Sequence, residues 1–228
     1  MLKYINTKGL TNSMKIRKYQ PGDKKAVEEI HFETGFLGRS MRSLLNQKQV
    51  WAELIRYYLD EEPESAFVAV ENDKVIGYIV GCLDDDRHNA TVAILRLNLK
   101  NIFRMPFMDS KDRKYWWSQT KALIRAGIGL SEERRFKTPS DAAHFHINLT
   151  KNARRKGTGR TLLERFTIHA KSKGKKIIYA SSYDTRLNPT AGFWRKNGFR
   201  EFSRVPTEFW KTQLPREKID LVCYIKKI

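Results

Sequence analysis

The sequence predicts a mixed α/β fold, and three observations carry that reading. Strand-like and helix-like hydrophobic periods alternate along the 228 residues. Two β-rich runs, Ala66 to Glu71 and Lys74 to Leu83, are joined by Asn72-Asp73, a good two-residue hairpin turn. From Ala143 onward, strands and helices alternate through to two final strands, an order that builds a mixed sheet with helices packed on it.

Each element has its own local reason. Residues 1–13 have no periodicity and read as a flexible leader before a single domain over residues 14–228. Ile16 to Tyr19 reads as a short strand, Pro21-Gly22 as a turn, and Asp23 as the N-cap of a helix that buries Ala26, Val27 and Ile30 before Gly35. Leu44, Trp51, Leu54, Ile55 and Tyr58 recur at helical spacing, which predicts a helix over residues 41–59. Residues 84–142 read as a helical insertion or lid between the third and fourth strands. They open on Asp84-Asp85-Asp86 and predict helices over residues 90–103 and 111–126 separated by Pro106, with Leu95, Leu99, Ile102, Trp116, Leu123 and Ile124 covering one end of the sheet. Phe145 to Leu149 is a strand, Gly157 to Lys173 a helix and Ile177 to Ser182 a strand. Asn188 to Lys196 is a short helix closed by Asn197-Gly198, and Arg200 to Val205 and Ile219 to Lys226 complete the sheet.

Composition narrows the function classes. Apolar residues are 40% of the chain, enough for a sizeable core, while 30% charged residues and a mean hydropathy of −0.59 describe a thickly charged surface. No stretch approaches the roughly 18 apolar residues of a membrane span, and the first residues lack the apolar segment of a signal peptide. A cytoplasmic location and no membrane partner are therefore expected. Cys82 and Cys223 each sit in an apolar strand-like run, so both read as core residues and neither a disulfide framework nor a metal site is expected. Forty-four basic against 25 acidic side chains give a net +19, of which residues 144–228 carry +14 (20 basic, 6 acidic). Such a field attracts phosphate-bearing partners and leaves nucleic acid open as one, whereas a merely solvated Lys-rich surface explains it equally well.

The most informative stretch runs from His146 to Phe166. A strand ends, the chain turns through Arg154-Arg155-Lys156-Gly157-Thr158-Gly159, and a helix begins with Leu162, Leu163 and Phe166 facing inward. Two glycines let the backbone approach an anion, successive amides can point into one concavity, and the helix N-terminus adds roughly half a positive charge. An ordinary strand-to-helix connection is the alternative. The turn has neither the spacing of a P-loop nor the three glycines of a dinucleotide fingerprint.

Downstream, Asn188, Ala191, Phe193, Trp194, Gly198 and Phe199 follow a second apolar strand. Together the two segments resemble the GNAT superfamily of acyl-CoA-dependent N-acyltransferases, whose Arg/Gln-x-x-Gly-x-Gly/Ala motif is matched by Arg154, Gly157 and Gly159. The family's Asn-x-x-Ala-x-x-Phe-Tyr-x-x-x-Gly-Phe pattern has a counterpart one spacer shorter at the downstream residues. The resemblance is specific over residues 144–204 and looser over residues 14–83, and implies a GNAT-like fold with residues 84–142 as its insertion. It also implies a strand that splays from its neighbour, often at a bulge, and offers backbone groups around Ile147, Asn148 and Leu149 to the pantetheine arm of acetyl-CoA. Amides from Arg155 through Lys156, Gly157, Thr158 and Gly159 to Arg160 would cradle the pyrophosphate beside Arg154. Asn188 would contact the pantetheine or hold the splayed edge, and caps a helix on the simpler view.

Direct transfer needs an unprotonated amine, and a Lys-like amine with pKa near 10.4 costs about 4 to 5 kcal/mol to deprotonate at pH 7. His144, His146, Glu33 and Asp184 are the candidate bases. The two histidines share one face of a strand; a solvated helix face and a turn are the simpler readings of Glu33 and Asp184. The family's proton-donating tyrosine is replaced by Trp194, which either packs in the core or lies against the pantetheine arm. Tyr183 is the candidate donor in its stead. The resemblance thus implies an N-acetyltransferase that moves an acetyl group from acetyl-CoA directly to a primary amine, as a monomer or homodimer. A catalytically silent acyl-CoA sensor and an acyltransferase for an amine carried on aminoacyl-tRNA are the alternatives. Phe36, Trp51, Trp116, Trp117, Phe209 and Trp210 either line an aromatic acceptor pocket or pack the core.

Overall fold

A computed structural model describes residues 14–83, 90–128, 131–188 and 190–228. The leader, residues 1–13, and the acidic run Asp84 to Asp86 lie outside the described residues. Seven strands form one sheet: β1 (Lys15–Lys18), β2 (Phe67–Glu71), β3 (Lys74–Cys82), β4 (Ala143–Leu149), β5 (Ile177–Asp184), β6 (Arg200–Pro206) and β7 (Asp220–Lys227), in the order β1-β2-β3-β4-β5-β7-β6. Every neighbouring pair is antiparallel except β4 and β5. The hairpin between β2 and β3 turns at Asn72 and Asp73, which adopt φ of 52° and 58°, the left-handed pair that a tight hairpin demands.

Helices α1 (Lys24–Thr34) and α2 (Lys48–Asp60) cover one face of the sheet, where Val27, Ile30, Ile55, Tyr58 and Leu59 pack on Val68, Tyr78, Val80 and Cys82. On the other face lie α5 (Thr158–Ser172) and α6 (Ala191–Lys196), reached in chain order after α3 (Ala90–Arg104) and α4 (Ser110–Gly127). There Leu162, Leu163, Phe166 and Trp194 close over Phe67, Ile79, Phe145 and Ile178. Both cysteines are buried.

Between β3 and β4 the chain forms α3 and α4, with Pro106 inside the 3-10 turn Met105–Phe107 that separates them. The packing of this segment differs from expectation. Leu97, Met108, Tyr115 and Trp116 join Trp51 and Trp210 in a third core cluster, whereas Leu99, Ile102 and Ile124 are exposed.

Two helix starts also differ. Residues 41–43 form a 3-10 turn and α2 begins only at Lys48, because the carboxylate of Asp112 on α4 accepts from the amides of Asn46 (2.6 Å) and Gln47 (3.2 Å). Asp23, in turn, holds the N-cap position of α1 as expected but makes no side-chain cap bond there. Its backbone is already helical, and its carboxylate accepts from Gln20 N (2.9 Å) and from the Arg17 guanidinium (2.6 and 2.8 Å), closing a 3-10 turn ahead of the helix. The Arg17 bond holds the Asp23 carboxyl below the usual carboxylate range. β4 begins two residues before the expected start, at Ala143, which brings His144 into the sheet.

Candidate active site

The site is built where β4 and β5 part. The two strands pair only at Ala143↔Ile178 and His144↔Tyr179, although β4 continues to Leu149 and β5 to Asp184. No bulge is needed for the splay, since the register of β4 with β3 runs one to one from Gly77↔Leu149 to Cys82↔His144. Thr150 N donates to Ile76 O at 2.9 Å, so the alternation of an antiparallel ladder turns the backbone groups of 144, 146 and 148 toward β3. Those of Ile147 and Leu149 face the opening. The amide of Asn148, grouped with them from the sequence, is therefore committed to β3, opposite Tyr78.

At the end of the cleft lies the glycine-containing turn. Arg155 has φ of 60° and Gly157 φ of 85°, and Gly157 caps α5 in a conformation that only glycine adopts without strain. The first intrahelical bond is Thr161 N to Gly157 O (3.1 Å), so the amides of Thr158, Gly159 and Arg160 have no helical carbonyl to meet. A Cβ on Gly159 would stand 3.3 Å from both Leu149 and Phe193, so the backbone here lies against the floor of the cleft. This cradle fits a diphosphate.

The cations around it act differently from one another. Arg155 and Lys156 are exposed, and Arg160 pairs with Glu164 (2.8 Å) on the outer face of α5. Arg154, expected beside the pyrophosphate, instead directs Nη2 to Gly38 O (2.8 Å) and Nε to Leu149 O (3.2 Å). It ties the end of β4 to the segment after α1, and burial lowers its pKa. Asn188 does not cap α6, which follows Thr190; its Nδ2 donates to Tyr183 O (3.3 Å) and so holds the parting edge of β5.

On the α1 side of β4, a polar cluster sits in otherwise apolar packing. His144 is buried, bonds Tyr58 Oη through Nδ1 (3.1 Å) and stacks on Tyr179 at 4.8 Å. His146 is half-buried, with its ring 4.7 Å from that of His144 and 5.3 Å from Tyr58. Asn148 Nδ2 donates to Tyr78 Oη (2.8 Å), which leaves the phenol proton for His31 Nδ1 (2.9 Å). Burial, aided by the nearby His146, pushes the His31 pKa down to about 3, so its ring stays neutral; burial pushes the Tyr78 phenol up. His31, Tyr58 and Tyr78 escape a reading of the sequence because each occupies an apolar stripe. Alternation places Tyr78 and Asn148 on one face, but nothing local pairs them with α1 and α2.

The remaining candidates are dispersed. Glu33 is half-buried on α1 and bound to Arg42 Nε at 2.5 Å, an ion pair at the surface. Asp184 points to the α6 face, away from the histidines, and shares Arg204 with Glu201 and Asp220. Tyr183 is on the histidine face, stacked on Phe209 at 5.5 Å, and its pKa is raised by burial and by Glu133. Trp194 is buried and stacks on Tyr224 at 5.7 Å with Phe145 and Phe199 around it, so it packs the core and does not line the cleft. Phe36, Trp51, Trp116, Phe209 and Trp210 likewise pack together, and only Trp117 stands out into solvent.

The central parallel strands of a mixed sheet thus part over a glycine turn at a helix N-terminus, which places the chain among the α/β proteins. The family model for GNAT acetyltransferases matches residues 34–199, and the chain belongs to that family. The match spans the insertion as well as both motifs. Solved structures share the fold at low identity. The crystal structure of SsHAT is 21% identical over 94% of this chain and 98% of its own, with a TM-score of 0.61. A polyamine N-acetyltransferase from Drosophila melanogaster is 11% identical over 95% and 100%, with a TM-score of 0.58. An N-acetyltransferase from Staphylococcus aureus Mu50 is 16% identical over 94% and 98%, with a TM-score of 0.54. Among curated protein sequences none matches the chain.

Proposed function

We propose that the protein transfers an acetyl group from acetyl-CoA directly to a primary amine within a ternary complex. The observation that carries this reading is the early parting of β4 and β5 above the Gly157 turn. Backbone groups of Ile147 and Leu149 would hold the pantetheine arm and the acyl carbonyl, and amides from Arg155 to Arg160 the pyrophosphate. When bound, the coenzyme supplies an acyl thioester whose departing thiolate, with pKa near 8.5, needs no strong acid. That suits a chain with Trp194 in the core and a Tyr183 phenol made less acidic by its surroundings.

His146 is the base this arrangement favours. It is the more exposed of the two histidines, and His144, bonded to Tyr58, supports the imidazolium that forms when His146 takes the amine proton. Neutral His31 adds no repelling charge nearby. Both cysteines are buried and neither lies in a motif, which supports direct transfer over a cysteine-bound acyl-enzyme.

Calorimetric titration with coenzyme A tests the site. The protein should bind, and Gly157→Glu, which places a strained side chain and a negative charge at the cradle, should lower affinity by at least about a hundredfold. Equal heats from both proteins would remove the assignment. Buried Trp194 also favours a second reading, an acyl-CoA sensor. Thiol release from acetyl-CoA over a panel of amines separates the two, because a sensor binds and releases nothing.

A further inference from the structure

The insertion carries an exposed surface that contains none of the residues placed at the parting of β4 and β5. Ten large apolar side chains stand exposed among the described residues, and seven of them fall within residues 99–128. Phe107 is 91% exposed, Phe103 79% and Trp117 50%. On α4, Lys114, Trp117, Lys121 and Ile124 recur at intervals of three and four, with Arg113 beside them and Ile128 just past the helix end, so they share one outward face opposite the buried Asp112, Tyr115, Trp116 and Gln119. At the corner with α3 this face hollows into a cavity of about 720 Å³ lined by Met105, Ser110, Lys111, Arg113, Lys114 and Trp117.

The charge is one-sided. Residues 96–128 hold eight basic and two acidic side chains. Both acids are engaged internally: Asp112 on the amides before α2, and Asp109 on the amides of Lys111 (2.9 Å) and Asp112 (3.0 Å). Lys100 pairs with Glu53, Arg125 with Glu208, and Lys111 reaches Asn46. Of the other five, Arg104, Arg113, Lys114 and Lys121 lie in or next to the run of exposed aromatics, with Lys121 Nζ 5.4 Å from the Trp117 ring centroid.

We propose that this face docks the protein on an anionic lipid bilayer. Phe103 and Phe107 enter the acyl boundary, and Arg113, Lys114 and Lys121 meet headgroup phosphates. Charge complementarity selects the occupant. A second copy would set two cationic faces against each other. Nucleic acid would stack on Phe103, Phe107 and Trp117 but has no use for Leu99, Ile102, Ile124 and Ile128, which offer no aromatic face to a base. The expectation of no membrane partner rested on the lack of a spanning segment. Docking needs none, and no described helix is long and apolar enough to cross.

Flotation of the full-length protein with phosphatidylcholine vesicles, with and without phosphatidylglycerol, tests the proposal. Binding should require the anionic lipid and weaken at about 0.5 M salt. The double variant F103S/F107S should lose at least about a hundredfold in partition, roughly tenfold per phenylalanine. Its thermal midpoint and coenzyme affinity should stay those of the parent, since both side chains are solvent-exposed and neither belongs to the strands or the turn of the cleft. Three outcomes overturn it: no anionic-vesicle binding, undiminished flotation of the variant, or a single-stranded RNA complex or dimer that the double substitution abolishes while flotation persists. Because coenzyme titration is read separately, failure here leaves the acetyltransferase reading untouched.

Discussion

His31 lies close enough to His146 to feel its charge, and burial holds the His31 ring neutral, whereas His146 is the base proposed above. His146→Ala should lower kcat by about 10²- to 10⁴-fold, the usual range for a general base, while coenzyme affinity stays unchanged. An equal loss in coenzyme affinity would show that the ring merely shapes the cleft. His31 gives a stability signature. In the unfolded chain it titrates near 6.5, whereas in the fold it stays neutral to about 3. Between those values the unfolded state holds more protons, so stability present above pH 6.5 is lost as pH falls toward 3, by up to about 1.4 kcal/mol per pH unit. His169, also lowered by burial, acts with the same sign. Urea unfolding of His31→Gln, which keeps an acceptor for Tyr78 without a titratable group, should show a shallower acid limb than the parent. An unaltered limb would exclude His31 as its source.

Elements were legible wherever the cause is local. Asn72-Asp73 names its own turn, the Leu162, Leu163 and Phe166 stripe names α5, and Gly198, with φ of 82°, closes α6 as anticipated. They were not legible where the cause lies far along the chain. The start of α2 is set by Asp112, more than sixty residues away, and the apolar spacing through Leu44 continues into a segment that this carboxylate holds out of the helix. Asp112→Ala should therefore cost about 1 to 2 kcal/mol, the size of a lost helix cap, read as a lowered urea midpoint. A neutral result would mean that the amides of Asn46 and Gln47 find water instead. Asn188 illustrates the same limit: its spacing suggested a cap, but the parting of β4 and β5 brings Tyr183 O within its reach.

At the scale of the whole molecule the net charge of +19 sets how the protein meets polyanions. Thiol release with a small primary amine should be insensitive to added tRNA at about 0.15 M salt, because attraction through phosphates alone is heavily screened there. Inhibition that persists as salt is raised would shift the acceptor to an amine carried on nucleic acid. By itself the sequence determined the alternation of strands and helices, the glycine turn and the cation excess, since each follows from side-chain period, backbone freedom or composition within a short window. Only the tertiary structure decided that β4 and β5 separate after two paired residues, that Trp194 is core while Arg154 bridges two carbonyls, and that His31, Tyr58 and Tyr78 gather around the histidine pair. Those facts depend on which strands become neighbours and which helix lies over them. Burial and hydrogen-bond satisfaction settle that choice across the entire chain at once.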